Sequence, residues 1–337
     1  MTQTERFLDY LEKAARQSLL DEVSATPKPG LVDTKDSGAH QDMDFSTFTA
    51  STEAIVPFLR KMGAAGIEAA GEAASSVPSR ELSELFVTIR SIGSEAEKAM
   101  FSATNGVNTH KGIIFSMGIN AAAAGYLYGK GLPLHGENIL ATGQQMCCSL
   151  LSKDFKQINS ELPKTHGELL YIKYGCRGIR GEAMDGFPAV RDIGLPIIRS
   201  LTANHSMDNQ TSKEQEGVHN NDTFWNQLCL RLLFEFMAKV EDSNVLFRCD
   251  YEALSYLRKQ SLSILAEIRK SETEGRQSDT NLWPPALFSH IEALNGDFIQ
   301  RNISAGGCAD LLSLTLFIWR LEQGIVSCDH HLTGHLF

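Results

Sequence analysis

The chain has 337 residues, with 31 basic and 41 acidic side chains, so its formal net charge at pH 7 is −10. A chain of this length can bury roughly three quarters of the surface that its unfolded form exposes, so it needs no disulfide staples. Its composition, 42% hydrophobic and 21% charged, excludes a disordered or fibrous protein. The acidic balance argues against broad nucleic-acid binding but permits a local basic pocket for a phosphorylated ligand.

The cysteines and the first residues indicate a reducing compartment. Seven cysteines, an odd number with no Cys-x-x-Cys pair, form neither a disulfide framework nor a zinc site. The first 20 residues carry six charged side chains and no apolar segment, so we expect no signal peptide and a cytoplasmic location. The longest apolar stretch, residues 113–128, is shorter than the about 20 residues that span a bilayer. We therefore predict a buried helix there and no association with a membrane.

Helical periodicity is present from the N-terminus onward. Between residues 4 and 25, apolar side chains recur at spacings of three and four, which predicts an amphipathic helix. Similar stretches follow at about 46–62, 80–101, 112–128, 136–152, 189–202, 223–240, 250–270, 286–300 and 309–322. Because the two-residue alternation typical of strands is almost absent, the sequence predicts an all-α fold, a compact multi-helix bundle with polar active-site loops between the helices.

The organisation of the chain follows from the same pattern. We predict a single all-helical catalytic domain over residues 1–337. Residues 203–222 and 271–285 are polar and lack periodicity, so we expect surface insertions there. Residues 323–337 are expected to form a C-terminal tail.

A first polar motif follows the first predicted helix, with the string Pro-Lys-Pro-Gly-Leu-Val-Asp at 27–33. Two prolines stiffen the loop around Lys28, which could then meet a phosphate at low entropic cost. Asp33, Asp42 and Asp44 could share a hard cation, since Mg²⁺ is typically held by one or two carboxylates plus substrate phosphates. Alternatively, Asp42 or Asp44 only caps the following helix.

A second polar motif, Asn-Gly-Val-Asn-Thr-His-Lys-Gly at 105–112, leads directly into a helix of small residues. Backbone N–H groups at a helix start, together with Lys111, form a natural anion site. The glycine-to-lysine spacing is not that of a P-loop. Taken alone, His110 is explained equally well as a structural hydrogen-bonded histidine and as a catalytic or ligand-binding one.

A third motif is rich in glycine and arginine and spans residues 175–188. Its arginines suit phosphate recognition, because a guanidinium group forks onto two oxygens while glycine lets the backbone approach closely. Glu182 and Asp185 are three apart and would share one face if this segment were helical. We expect the neighbouring guanidinium groups to keep Glu182 ionised at pH 7. The alternative is a solvated turn.

A fourth group lies near the C-terminus, where Asp242, Asn244 and Arg248 precede the string Arg-Asn-x-Ser-x-Gly-Gly at 301–307. The two glycines can be a plain helix entry, with Asp310 complementing the helix dipole. The clustering of arginine, asparagine and serine favours a ligand role.

Taken in this order, the motifs resemble those of the triphosphoribosyl-dephospho-CoA synthase family over roughly residues 15–322. They are Glu22, the strings at 27–33 and 106–112, Gly-Ala-His-x-Asp-Met at 38–43, Arg-Gly-Glu-Ala at 180–183 and the string at 301–307. The resemblance implies an all-helical bacterial enzyme of the cytoplasm. It implies synthesis of the precursor of the prosthetic group of citrate lyase, with a close relative serving malonate decarboxylase.

The implied reaction joins C1 of the ATP ribose to the 2′-hydroxyl of 3′-dephospho-CoA, expels adenine and leaves the triphosphate intact. The product, 2′-(5″-triphosphoribosyl)-3′-dephospho-CoA, is expected to pass to a carrier-protein transferase. No segment of the chain resembles that transferase, so we expect the synthase alone, with ATP and 3′-dephospho-CoA as partners and a homodimer as one assembly to test. Mg²⁺ is the expected cofactor.

Such a reaction needs a base for the hydroxyl, negative charge beside an oxocarbenium-like carbon, a proton donor for adenine and cations along the triphosphate. The candidate catalytic residues are Glu182, His110, Asp33 and Glu22, with His110 expected to move a proton near neutral pH. The candidate substrate-binding residues are Lys28, His40, Asn108, Thr109, Lys111, Arg180, Asn244, Arg248, Arg301, Asn302, Ser304, Gly306 and Gly307. The candidate metal ligands are Asp33, Asp42 and Asp242.

Two departures from the family pattern leave other functions open. Met184 stands where members commonly have a second glutamate, with Asp185 one place on as a substitute. Cys249 and Asp250 stand where two glycines commonly follow the arginine, which could close a backbone approach to substrate. The alternatives are a Mg²⁺-dependent nucleoside triphosphate hydrolase and a non-catalytic nucleotide- or CoA-binding homologue.

Overall fold

The computed structural model describes residues 1–71, 78–159, 162–163, 165–211, 219–275 and 283–329. In these ranges the regular structure consists of thirteen α-helices and one π-helical turn, without a β-strand. The predicted all-α fold is therefore confirmed.

The helices follow the predicted order with three short additions. Their bounds are α1 Gln3–Ser24, α2 Phe45–Gly71, α3 Pro78–Ala103, α4 Lys111–Gly129, α5 Gly136–Lys156, α6 His166–Tyr174, α7 Gly178–Met184, α8 Leu195–Thr211, α9 His219–Lys239, α10 Ser243–Arg248, α11 Tyr251–Gly275, α12 Pro285–Gln300 and α13 Gly306–Asp329. The additions α6, α7 and α10 have nine, seven and six residues, too few for a periodic pattern to reveal.

Helix α4 lies at the centre of the N-terminal half and packs against α2, α3 and α5. Helix α2 packs in turn against α1. Its side chains are buried almost without interruption from Ile113 to Leu127, so the prediction of a buried helix at 112–128 is confirmed. Four consecutive alanines, residues 121–124, are fully buried and allow the neighbouring helices a close approach. In the part of the chain that the structure describes, no helix is both long and apolar enough to cross a membrane.

Helix α13 joins the two halves of the chain. It packs against α1, α4 and α5 on one side and against α9 on the other, and α9 packs in turn on α11. Its apolar side chains from Leu311 to Ile318 are buried, and so are the polar side chains of Ser313 and Thr315 between them. The packing of α13 on α4 brings the N-terminal ends of these two helices together, as a contact between Gly112 and Asp310 shows.

Several boundaries differ from the predicted ones. Helix α8 continues to Thr211 and α9 begins at His219, so residues 203–211 and 219–222 are helical although their polar composition suggested an irregular insertion. Residues 212–218, the remainder of that predicted insertion, lie outside the described residues, as do 276–282 and 330–337. A π-helical turn at Val190–Gly194 precedes α8, where the sequence predicts one continuous helix.

Candidate active site

The loop between α1 and α2 is fastened to α12 and to the connection between α12 and α13. The Gly30 N–H donates to Asn295 Oδ1 at 2.8 Å, and His40 Nε2 lies 2.8 Å from Ser304 Oγ. Gly30 has a positive φ of 70°, and a Cβ there would overlap the Ile303 carbonyl oxygen, so both its backbone angle and its packing require glycine. Two motifs that lie far apart in the sequence therefore form one wall of the site.

Glu22 and Lys28 form a buried ion pair behind this wall. Lys28 Nζ bonds to Glu22 Oε1 and also donates to the Glu22 carbonyl oxygen at 2.7 Å. Lys28 is 1% exposed and Glu22 4% exposed. Burial raises the pKa of Glu22, and the Lys28 charge opposes this shift. Lys28 is thus engaged inside the protein, which differs from the predicted role of meeting a phosphate.

Asp33 organises the loop itself. Its Oδ2 accepts hydrogen bonds from Thr26 Oγ1 at 2.8 Å and from the Lys28 N–H at 2.9 Å. Its Oδ1 accepts from the N–H groups of Lys35 at 2.7 Å and Asp36 at 3.1 Å. Both oxygens of this buried carboxylate therefore hold backbone or side chain of the loop.

Asp42 and Asp44 have different surroundings from those of Asp33. Asp44 caps α2, since its Oδ1 accepts from the Thr47 N–H at 2.8 Å. This bond, together with those from the Ser46 and Thr47 hydroxyl groups, lowers the pKa of Asp44 to about 2. The capping alternative is therefore confirmed for Asp44. Asp42 has a side chain that is 63% exposed, 3.9 Å from the His40 ring. Burial, followed by the Arg248 charge, lowers the pKa of His40.

His110 is held between α2 and α4. Its Nδ1 lies 2.7 Å from Ser51 Oγ, which also accepts a hydrogen bond from Thr109 Oγ1 at 2.6 Å. Burial, followed by the Lys28 charge, lowers the pKa of His110 to about 3. The imidazole is therefore neutral at pH 7 and acts there as a hydrogen-bonding group. This differs from the expected proton transfer near neutral pH, because burial outweighs the tendency of the ring to accept a proton.

The start of α4 is partly open to solvent. Asn108 Oδ1 accepts from the Lys111 N–H at 3.3 Å, and the exposed Lys111 side chain pairs with Glu97 at 3.0 Å. At the next residue, a Cβ on Gly112 would overlap Asp310 Oδ2. The second motif and the C-terminal motif therefore meet at the N-terminal ends of α4 and α13.

Asp242 joins α10 to α13. Its Oδ1 accepts from the N–H groups of Asn244 at 2.8 Å and Val245 at 3.1 Å, and its Oδ2 accepts from the Cys308 N–H at 2.8 Å. It is 1% exposed. One carboxylate thus caps two helices. The flanking glycines leave room for this arrangement, since Cβ atoms at Gly306 and Gly307 would crowd Asn244 and Asp242 respectively.

Arg248 fixes the rim of the site. It donates to the carbonyl oxygens of Ala39 and Asn302 and to Asn302 Oδ1. Cys249, which stands where the resemblance implies a glycine, has no positive φ. Its Sγ lies 3.4 Å from the Asn302 carbonyl oxygen and 3.6 Å from that of Arg301. The cysteine therefore fills space against the same loop that Arg248 holds.

Arg301 points away from this rim toward an open cavity of about 450 Å³, which it lines with Cys249 and Tyr256. Its guanidinium group lies over the Tyr256 ring, 4.4 Å from the centroid, and pairs with Asp297 at 2.9 Å. Five basic residues are predicted to bind substrate: Lys28, Lys111, Arg180, Arg248 and Arg301. Three of them, Lys28, Lys111 and Arg301, have a carboxylate partner in the structure.

Helix α7 carries Arg180 and Glu182 beside this assembly. Its start lies against α10, since a Cβ at Gly178 would be 3.3 Å from Ser243 Oγ. Glu182 Oε2 accepts from the Ala189 N–H at 3.2 Å just before the π-helical turn. Burial raises the pKa of Glu182, while Arg177 and Arg191 oppose the shift. Burial is therefore a larger effect on this pKa than the guanidinium groups are, and the ionisation of Glu182 at pH 7 stays a prediction.

Arg180 differs from the other predicted phosphate ligands. It is half-buried, and in the described ranges no hydrogen bond or ion pair reaches its guanidinium group. Arg177, at the start of the same helix, pairs with Asp185 instead. An unpaired, half-buried guanidinium group is suited to an anionic ligand.

The three predicted metal ligands do not form one set. Asp33 and Asp242 direct both oxygens to hydrogen-bond donors, and Asp42 is mostly exposed. Across the residues that the structure describes, no group of three or more His, Cys, Asp or Glu side chains is arranged to hold a metal ion. The protein therefore offers no ready-made cage for Mg²⁺ in these ranges, and the metal assignment stays a prediction.

The family CitG, described as ATP:dephospho-CoA triphosphoribosyl transferase, matches residues 8–328. The chain belongs to this family. Two bacterial relatives are named probable 2-(5''-triphosphoribosyl)-3'-dephosphocoenzyme-A synthase. One, from Vibrio cholerae serotype O1 (strain M66-2), is 36% identical over 309 residues, which cover 92% of this chain and 87% of the relative. The other, from Streptococcus mutans serotype c, is 34% identical over 331 residues, covering 95% and 99%. No solved structure matches the chain.

Membership of the CitG family confirms the resemblance seen in the motifs. Four of those motifs meet in the structure, through the contacts of Gly30, His40 and Gly112 with the 303–310 segment. The glycine- and arginine-rich motif on α7 lies alongside, through its contact with α10. Two residues of the assembly were missed as site residues. Asp310 had a sequence signal, its place directly after the Gly-Gly motif, whereas Ser51 had none.

Proposed function

We propose that this chain transfers a triphosphoribosyl group from ATP to the 2′-hydroxyl of 3′-dephospho-CoA, with release of adenine. The observation that carries the proposal is the family match over residues 8–328, which includes every motif gathered around the Glu22–Lys28 pair. The names of the relatives describe the same product. In this reaction ATP is a glycosyl donor, so the triphosphate must be held without being cleaved.

The described residues are suited to hold a triphosphate at the outer part of the site. Among the described residues Arg180 has no partner, and beside Lys111 the N-terminal end of α4 presents the N–H groups of Gly112 and Ile113, which have no described acceptor. Lys111 could move from Glu97 to a phosphate at low cost, because an exposed ion pair contributes about 0–1 kcal/mol. Helix N-terminal ends favour anions. We therefore assign triphosphate binding to Arg180, Lys111 and the start of α4.

Mg²⁺ would enter with the triphosphate. A charge near −4 cannot be buried in an acidic protein without cations, and Mg²⁺ commonly keeps most of its ligands as phosphate oxygens and water. This mode of binding agrees with the lack of a three-residue cage in the described ranges. The metal would neutralise the phosphate charge.

The inner part of the site supplies charge and shape. The Glu22–Lys28 pair and Asp33 make the loop rigid, and neutral His110 fixes Ser51 and Thr109 beside it. Glu182 keeps one carboxylate oxygen, Oε1, without a described hydrogen bond. That oxygen can face positive charge developing at the ribose carbon, which is an effective way to lower a barrier. The sequence assignment of Glu182 as catalytic is therefore retained in the proposal.

Other parts of the expected biology remain proposals. Transfer of the product to a carrier-protein transferase is proposed because the family resemblance implies it. A cytoplasmic location is supported by the six described cysteines, all of which are free thiols. A homodimer is to be tested by measuring the mass in solution.

The test is to supply ATP, Mg²⁺ and 3′-dephospho-CoA and to measure every small product. We expect free adenine to appear in step with triphosphoribosyl-dephospho-CoA, without phosphate or pyrophosphate. Phosphate or pyrophosphate without adenine would establish the hydrolase alternative instead. Tight ATP binding without turnover, across several acceptors, would establish a non-catalytic binding protein.

A further inference from the structure

Asp310 is a carboxylate that the predicted site did not include. It lies on the first turns of α13, is half-buried, and has no hydrogen bond or ion pair in the described part of the chain. The charged groups that act on it most are Glu22 and Asp242, which carry the same sign. Burial, followed by these two charges, raises the pKa of Asp310 well above its usual value. A carboxylate in this position has no internal partner to stabilise it.

The neighbouring carboxylates are already engaged. Asp33 and Asp242 direct both oxygens to hydrogen-bond donors, and Glu22 is tied to Lys28 by its side chain and its carbonyl oxygen. A base must have an oxygen free to approach the proton that it removes. Glu22 keeps Oε2 without a described partner, but this carboxylate is 4% exposed and is neutralised by Lys28. Of these four side chains, Asp310 alone has both oxygens free and no cation beside it in the described part of the chain.

Gly112 controls where the Asp310 carboxylate lies. A Cβ at Gly112 would overlap Asp310 Oδ2, so any larger residue there would move the carboxylate. Gly112 follows Lys111 directly at the start of α4, where we place the triphosphate. The missing side chain thus brings Asp310 to the end of the helix that faces the donor nucleotide.

We infer that Asp310 is the carboxylate that accepts the proton of the attacking 2′-hydroxyl, with Gly112 as the positioning residue that admits it. This inference rests on the proposed function. In the step, the hydroxyl oxygen forms a bond to C1 of the ribose while the bond from C1 to adenine N9 breaks. The electron pair of the broken bond leaves with adenine. The hydroxyl proton passes to Asp310 and then, through solvent, to adenine, so the sum of the reaction neither gains nor loses a proton.

The first test is Asp310→Asn, which preserves the shape of the side chain and removes its ability to accept a proton. We expect kcat for adenine release to fall ~10²- to 10⁴-fold, the range for loss of a general base. The Kd for ATP, measured by calorimetry, should stay unchanged. Formate added to Asp310→Ala should restore part of the rate, an effect that a merely structural carboxylate would not show. Asp154→Asn, at an exposed ion pair with Arg90, serves as the control and should keep full activity.

The second test addresses Gly112 with a matched glycine. Gly112→Ala should lower kcat, because the added methyl group displaces the Asp310 carboxylate. The urea midpoint should fall proportionally less than kcat does. Gly296→Ala, also within a helix but with open space at its Cβ, should leave kcat unchanged.

The outcomes separate the two proposals. Wild-type protein that releases no adenine overturns the proposed function and the Asp310 inference together. Wild-type release with a normal kcat in Asp310→Asn overturns the inference alone. An intact kcat with ATP binding weakened tenfold or more would show that Asp310 binds the nucleotide, which also overturns its role as the base.

Discussion

Replacing Lys28 by methionine tests whether the buried ion pair is structural. The side chains of Lys28 and Glu22 are almost fully buried, so Lys28→Met leaves the Glu22 carboxylate buried without its counter-charge. Removing one partner of a buried pair costs about 3–5 kcal/mol. Domains of ordinary stability unfold with about 5–15 kcal/mol, so the variant should fold but lose much of its stability.

The loss should depend on pH in a defined direction. Burial already raises the pKa of Glu22, and without the opposing Lys28 charge it should rise further. A carboxyl group whose folded pKa lies above its unfolded value, about 4.3, costs stability at higher pH and none below that value. The deficit should therefore be greatest near pH 8 and shrink toward pH 5, by at most about 1.4 kcal/mol per pH unit.

The assay is urea unfolding of wild type, Lys28→Met and the double variant Lys28→Met/Glu22→Gln at both pH values. The double variant should recover part of the loss, because it buries no uncompensated charge. Lys259→Met, at an exposed position, should unfold as the wild type does. The reasoning fails if Lys28→Met unfolds at the wild-type urea concentration while its Kd for ATP rises tenfold or more. Lys28 would then be a phosphate ligand, as the sequence alone suggested.

Three further substitutions probe the remaining parts of the site. Arg180→Ala should weaken ATP binding by about 1.5–3 kcal/mol, the range for a contact with a charged group, while Arg177→Ala should change the Kd little because Arg177 pairs with Asp185. Glu182→Gln should keep the fold and ATP affinity but lower adenine release ~10²-fold or more; early melting with normal turnover per folded molecule would mark a scaffold residue. Asp242→Ala should cost about 1–2 kcal/mol for each of its two helix caps, and an unchanged urea midpoint would contradict the double capping.

The fold was predictable because helix formation leaves a periodic signal. Buried helices such as α4 and α13 carry long apolar runs that reveal them. The bounds of α4 follow from its run to within one residue, whereas α13 continues to Asp329, beyond the predicted end at 322. The short helices α7 and α10 have too few residues for a period to appear. The Asp242 side chain caps α10 by accepting hydrogen bonds from its first N–H groups. A periodic pattern does not reveal such a contact.

The sequence predicted which segments come together at the site, but it did not predict which hydrogen-bond or ion-pair partner each residue has there. A lysine between two prolines has the same sequence whether its amine meets solvent or a buried glutamate, so the pairing of Lys28 with Glu22 required the structure. The same holds for Asp33, whose four hydrogen-bond donors come from its own loop. The approach of Gly112 to Asp310 joins segments that no local pattern relates.

The fastening of Gly30 to Asn295 and of His40 to Ser304 has a consequence for synthesis of the chain. These partners are separated by 265 and 264 residues. At a translation rate of roughly 5–20 residues per second, the loop after α1 emerges from the ribosome some tens of seconds before the residues that secure it. During that interval the nascent chain can form its first helices, but it has no acceptor for the Gly30 N–H and no partner for the His40 ring. The wall of the site that this loop forms is therefore complete only when the last helices have been made, so a ribosome that stalls earlier displays a chain whose site lacks that wall.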